Sequence, residues 1–136
     1  MKKITLGMMM TGVLLFGLDI KVNVTHIPNS KGKLYIGLFN QAKGFREVNK
    51  TFKQISMQID SSHLSYTFDH IPQGTYAISI FHDANNNGKL DTNFLGMPTE
   101  AYGFSHNIRH LMRATSYKEA KFTLKNDKEF TINIGE

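Results

Sequence analysis

"GTYAISIFHDANNNGKLD", residues 74–91, joins an apolar run to a dense polar turn. From Tyr76 to Phe81 only Ser79 interrupts the apolar side chains, so the run predicts a strand buried on both faces. The chain on either side of it alternates with period two. Ile20, Val22 and Val24 alternate with polar residues, and so do Ile55, Met57 and Ile59, and then Leu64, Tyr66 and Phe68. "LYIGLF", Leu34 to Phe39, is a further strand in which Gly37 marks a bulge or a close backbone approach. "AKFTL" and "FTINI" follow near the end, with "NDKE" between them predicting a hairpin. About seven short strands with one short helical option, "NIRHLMRA", predict an all-β fold. The expected architecture is an antiparallel β-sandwich of immunoglobulin-like or prealbumin-like type.

The 136 residues suffice for one domain, placed at residues 19–136. Ahead of it, Lys2 and Lys3 precede an apolar run from Ile4 to Leu18 that is shorter than the roughly 20 residues of a membrane span. Residues 1–18 are therefore read as a signal peptide, with an uncleaved anchor as the alternative. Export to the periplasm or the extracellular space follows, with no stable membrane span once the signal is removed. The chain has no cysteine, which excludes disulfides and a lipid-modified N-terminal cysteine. Without Lys2 and Lys3 the formal charge falls from +5 to +3, and acidic residues are interleaved with the basic ones of the C-terminal third. No nucleic-acid motif accompanies this charge, so nucleic acid is excluded as the expected partner. An envelope or extracellular protein or glycan is the partner class that remains.

The turn after the central strand has the chemistry of a cation loop. Counting Asp83 as position one puts Asn85 at three, Asn87 at five, Gly88 at six, Lys89 at seven and Asp91 at nine. Calcium (Ca2+) takes oxygen ligands from alternate loop residues, and Lys89 would offer its backbone carbonyl. Position twelve, where a bidentate glutamate belongs, is Phe94, and no flanking helices are expected, so the segment is not an EF-hand. Glu100 is the carboxylate that closes the set if the chain folds back. The metal ligands assigned are thus Asp83, Asn85, Asn87, Lys89, Asp91 and Glu100. The bland alternative is a hairpin tip, which accounts for "NNNG" and leaves Asp83 and Asp91 unexplained. An incomplete set implies weak binding, suited to millimolar calcium outside the cytoplasm.

The long segment from His82 to Ser116 has no period, yet Phe94, Leu95, Met97, Tyr102 and Phe104 predict that it packs. Met97, Tyr102 and Phe104 are expected to cover an end of the core, with Tyr35, Phe39, Ile78 and Ile80 inside it. A metal-dependent envelope hydrolase using His82, Asp83, Glu100 and His106 is the rival reading. His106 and His110, four apart, would share a face if a helix formed there. The H-E-x-x-H pattern, a nucleophile elbow, a phosphate loop and a cysteine nucleophile are all missing, so no catalytic residue is assigned.

The span from Gly74 to Asn107 resembles a bacterial family known as domain of unknown function 2141. The shared elements are G-T-Y-A at 74–77, F-H-D at 81–83, N-G-K-L-D at 87–91, P-T-E at 98–100 and G-F-S at 103–105. The chain departs from the pattern at 108–117, where members often have a glycine- and proline-rich turn and this sequence reads "IRHLMRATSY". The resemblance implies an exported sandwich domain and no established activity. A weaker likeness runs to the calcium-binding B-type repeats of bacterial surface adhesins, which also follow a G-T-Y strand with an Asp/Asn-rich loop.

Overall fold

The computed structural model describes residues 17–135, so the expected signal segment lies outside them except for Gly17 and Leu18. Leu18 itself opens the first strand, opposite Ile71. Eight strands follow in order: β1 (Leu18–Thr25), β2 (Lys33–Phe39), β3 (Lys53–Gln58), β4 (Leu64–Ile71), β5 (Gly74–Asp83), β6 (Tyr102–Phe104), β7 (Phe122–Leu124) and β8 (Lys128–Asn133). They form two sheets, one ordered β4-β1-β8 and the other β3-β2-β5-β6, with β7 pairing β5 as well. The all-β sandwich expected from period two is the fold observed. One pair, β1 with β8, is parallel, while the others are antiparallel.

The core lies where the apolar faces of the sheets meet. Ile20, Val22 and Val24 of β1 point in from one side, and Leu34, Ile36, Leu38, Ile78 and Ile80 from the other, all fully buried. β5 is buried from Tyr76 to Asp83, on both faces as its composition predicts. The outer face of that sheet is covered by a second cluster, in which Phe45 and Ala120 pack on Phe39, Ala77 and Phe104. Phe45 comes from the loop after β2, and Ala120 from a long strap running from Ser105 to Lys121. The ladder through Gly37 is regular, opposite Gln54 and Ser79, so no bulge forms there. The glycine instead makes room for rings, since a Cβ would stand 2.6 Å from the Tyr35 hydroxyl and 3.1 Å from Phe39.

Three local expectations are corrected. β7 and β8 do not form a hairpin: β7 joins β5 in one sheet and β8 joins β1 in the other. Crossing between sheets lets Phe122 and Leu124 face Ile132 and Ile134 through the shared core, and the Asp127 carboxylate fixes the crossover by accepting the Asp19 N–H at 2.9 Å. The "NIRHLMRA" segment is not helical. The helix is one turn further on, α1 (Tyr117–Ala120), where Ser116 and Glu119 form a reciprocal capping box. Finally, Phe94 and Leu95 do not pack, being 95% and 71% exposed. The eighth strand, β6, was invisible to periodicity because it is three residues long with Gly103 at its centre. A Cβ there would meet Ile132 at 2.8 Å and the Asn133 carbonyl at 3.1 Å, so only glycine lets β6 lie against β8.

Candidate functional site

β5 ends by delivering His82 and Asp83 to opposite faces of its sheet, as alternation requires. His82 is turned inward and buried, with its Nε2 2.6 Å from the Lys31 carbonyl. Asp83 is turned to the other face, where its two carboxylate oxygens accept the N–H groups of Asn87 at 3.1 Å and Gly88 at 2.8 Å. These bonds curl residues 83–88 into a tight loop. Asn86 and Gly88 occupy left-handed conformations within it, at φ 57° and 79°, the region that asparagine and glycine tolerate best.

Asp91 lies across the mouth of this loop. Its two oxygens each accept a side-chain amide at 2.5 Å, one from Asn85 and one from Asn87. Residues 92–98 form a small outward lobe closed by a bridge between Thr92 and Pro98. The side chain of Asn93 accepts the N–H groups of Leu95 and Met97 inside it. The lobe returns the chain so that Glu100 comes back to the base of the loop, as its assignment to the ligand set requires. There its carboxylate accepts the N–H of Ala84 at 3.1 Å and of Asp91 at 3.0 Å, joining the two ends.

Five of the six assigned residues lie in the loop, where Lys89 donates its N–H to the Asn87 side-chain oxygen at 3.1 Å, and Glu100 stands at its base. Asp83, Asp91 and Glu100 each hold N–H donors, and among the described residues no three His, Asp or Glu side chains converge as a ready-made metal set. The rival cluster is dispersed. His82 faces away from Asp83, and His106 contacts the Lys121 carbonyl at 2.9 Å and stands edge-on to Phe122 and Phe130. His106 and His110 do not share a helical face. His106 has φ 67°, which breaks any helix there, and His110 turns to Glu119 at 2.7 Å. Ser105 is buried, accepting the Ile78 N–H at 3.0 Å and donating to the Ala120 carbonyl at 2.6 Å.

Sequence reading did not single out the residues that hold the strap. Arg113 grips Glu119 with two bonds of 2.9 Å, and this contact first, with the Ser116 N–H second, holds the Glu119 carboxyl well below the usual range. Arg109 donates to the carbonyls of Tyr102 at 2.5 Å and Gly135 at 2.6 Å and stacks on the Tyr102 ring at 4.4 Å. "SYKE" at 116–119 was the available signal, because S-x-x-E marks a helix start. Among the described residues no helix is long and apolar enough to cross a membrane.

Fold and loop together define a two-sheet β module with one elaborated polar loop at a sheet end. Residues 22–133 match the model of the bacterial family DUF2141, described as "Uncharacterized protein conserved in bacteria". The chain belongs to that family. No curated protein and no solved structure matches it.

Proposed function

We propose that the protein is an exported, non-catalytic β-sandwich module that takes a calcium ion in the 83–91 loop. The ion would order the loop for recognition of an envelope or extracellular protein or glycan. The observation behind this reading is the free acceptor capacity of the three carboxylates. Each of their six oxygens takes only one of the bonds described, while an ionised carboxylate offers about four acceptor sites. The Asn85 and Asn87 amides meet Asp91 through N–H. Rotating either amide by half a turn presents an oxygen in its place, and a divalent cation would then replace the N–H dipoles as the partner of Asp91.

The test is thermal unfolding in chelator, then in millimolar calcium, magnesium or zinc. A ligand that binds only the folded state raises the midpoint by mass action. The expected outcome is a rise with calcium that is lost in Asp83→Ala and Asp91→Ala. A rise with zinc alone would favour the histidines and a transition metal, because calcium prefers all-oxygen ligands. No shift with any ion would sink the metal reading and leave the loop a self-satisfied turn.

A further inference from the structure

Four of the five large apolar side chains that the described residues leave exposed stand on two neighbouring loops: Phe94 and Leu95 on one, Leu111 and Met112 on the other. Solvated loop tips rarely concentrate such groups without a partner. Between the loops lies a cavity of about 240 Å³ with Leu90, Met97, Tyr102 and Phe104 in its walls and Leu95 and Met112 at its mouth. Two cations, Arg46 and Arg113, share the lining, and no carboxylate does. Arg113 is already neutralised by Glu119. Arg46 is solvent-exposed and makes no hydrogen bond or ion pair among the described residues, so it is available to an anion at the edge of the apolar cavity.

The position of Arg46 is fixed by its neighbour. Phe45 is buried in the outer cluster, with its ring 5.8 Å from that of Phe104 in the cavity wall. Arg46 itself is held at φ 81°, a conformation that glycine adopts without strain and an L side chain adopts at a cost. A strained, unpaired cation beside an apolar cavity with a wet mouth matches a ligand that is apolar along its body and anionic at one end. We propose that this cavity binds a single-chain anionic amphiphile, its head on Arg46 and its tail between the 92–98 lobe and the 105–120 strap. This goes beyond the calcium reading and does not rest on it, since no proposed calcium ligand lines the cavity, although Leu90 and Thr92 on either side of Asp91 do.

The probe is decanoate, below the concentration at which it forms micelles, titrated calorimetrically into the protein expressed as the full chain. Decanoate should bind one to one, and decanol, with the same tail and no charge, about tenfold more weakly or worse. Arg46→Gly removes the charge and relieves the backbone, so it should weaken decanoate about tenfold while leaving the unfolding midpoint unchanged or higher. Met112→Glu, at an exposed site, should abolish binding without affecting folding. Equal affinity for decanol and decanoate, or an unaffected Arg46→Gly, overturns the proposal. Absence of binding overturns it too. Capture by phosphatidylglycerol vesicles without binding of monomeric decanoate would make the two loops a membrane-docking surface instead.

Discussion

Glu100 accepts the backbone N–H of Asp91 at 3.0 Å, nine residues back along the chain, and its other oxygen holds Ala84 at 3.1 Å. One side chain thereby bridges the two ends of the polar loop. Bonds to an ionised acceptor are the stronger kind, and two of them in a half-buried place are worth about 2 kcal/mol together. Glu100→Ala should lose about that much stability in chemical denaturation without calcium. Glu100→Gln keeps one oxygen acceptor and sets its NH2 against a backbone donor, so it should lose about half. Faster amide exchange confined to Ala84 and Asp91 would show that the loss is local. An unchanged Glu100→Ala would mean that the lobe and its Thr92–Pro98 bridge hold the loop unaided.

The Glu119 carboxylate binds Arg113, His110 and the Ser116 cap, and its folded pKa lies below the ordinary 4.5. A depressed carboxylate contributes stability that is complete above its unfolded pKa and is lost as pH falls through the folded one. The acid limb of the stability curve should therefore begin below about pH 4.5 and continue downward. Glu119→Gln should flatten that limb. The measurement is the unfolding midpoint of both proteins from neutral pH to about pH 3. Parallel curves would show that the pairing with Arg113 does not persist in solution.

Tyr35 lies over Gly37 with its hydroxyl buried and without a hydrogen-bond partner. Burial pushes its phenol well above the usual range; Thr51 eases that rise in part without making a bond of good geometry. A buried polar group left unsatisfied costs free energy that its removal returns. Tyr35→Phe should be neutral to about 1 kcal/mol stabilising, the reverse of the usual result for a core tyrosine. In an alkaline titration followed at the tyrosine absorbance, the late-ionising phenols should number one fewer in the variant than in the native protein, since burial also raises Tyr76 and Tyr117. A clear loss of stability would show that the hydroxyl has a partner in solution.

Three strands were legible because one physical pattern, alternation, governs Ile20 to Val24, Ile55 to Ile59 and Leu64 to Phe68 alike. Run length and composition sufficed for β5, whose two buried faces leave no polar period. Pairing was less legible. Nothing in "NDKE" distinguishes a hairpin from a crossover, because that choice rests on long-range pairing, β7 with β5 and β8 with β1, which buries Phe122, Leu124 and Ile132 in the shared core. The polar residues of the 83–91 loop could be gathered by spacing, and Glu100 joined to them on the condition that the chain folds back, because both relations are local. Arg109, Arg113 and the capping box were missed for the opposite reason: each acts on a strap with no period of its own. The exposure of Phe94 could not be read at all, since an apolar residue in a sequence looks the same whether it faces a core or a partner.

Ser105 gives the sharpest test of how the strap is fastened. Its hydroxyl serves the Ile78 N–H in the middle of β5 and the Ala120 carbonyl at the end of α1, and no water can substitute at full burial. Removing it leaves a buried donor and a buried acceptor unpaired at once. Ser105→Ala should therefore cost about 2–4 kcal/mol, more than a surface-helix cap such as Ser116→Ala, which should cost about 1. The Ser105 loss should fall as heavily on β5 as on the strap, read as faster exchange of the Ile78 amide. If that amide stays protected while α1 frays, the strap is an appendage to the sheet. If both open together, the outer aromatic cluster of Phe39, Phe45 and Phe104 folds as one unit with the central strand.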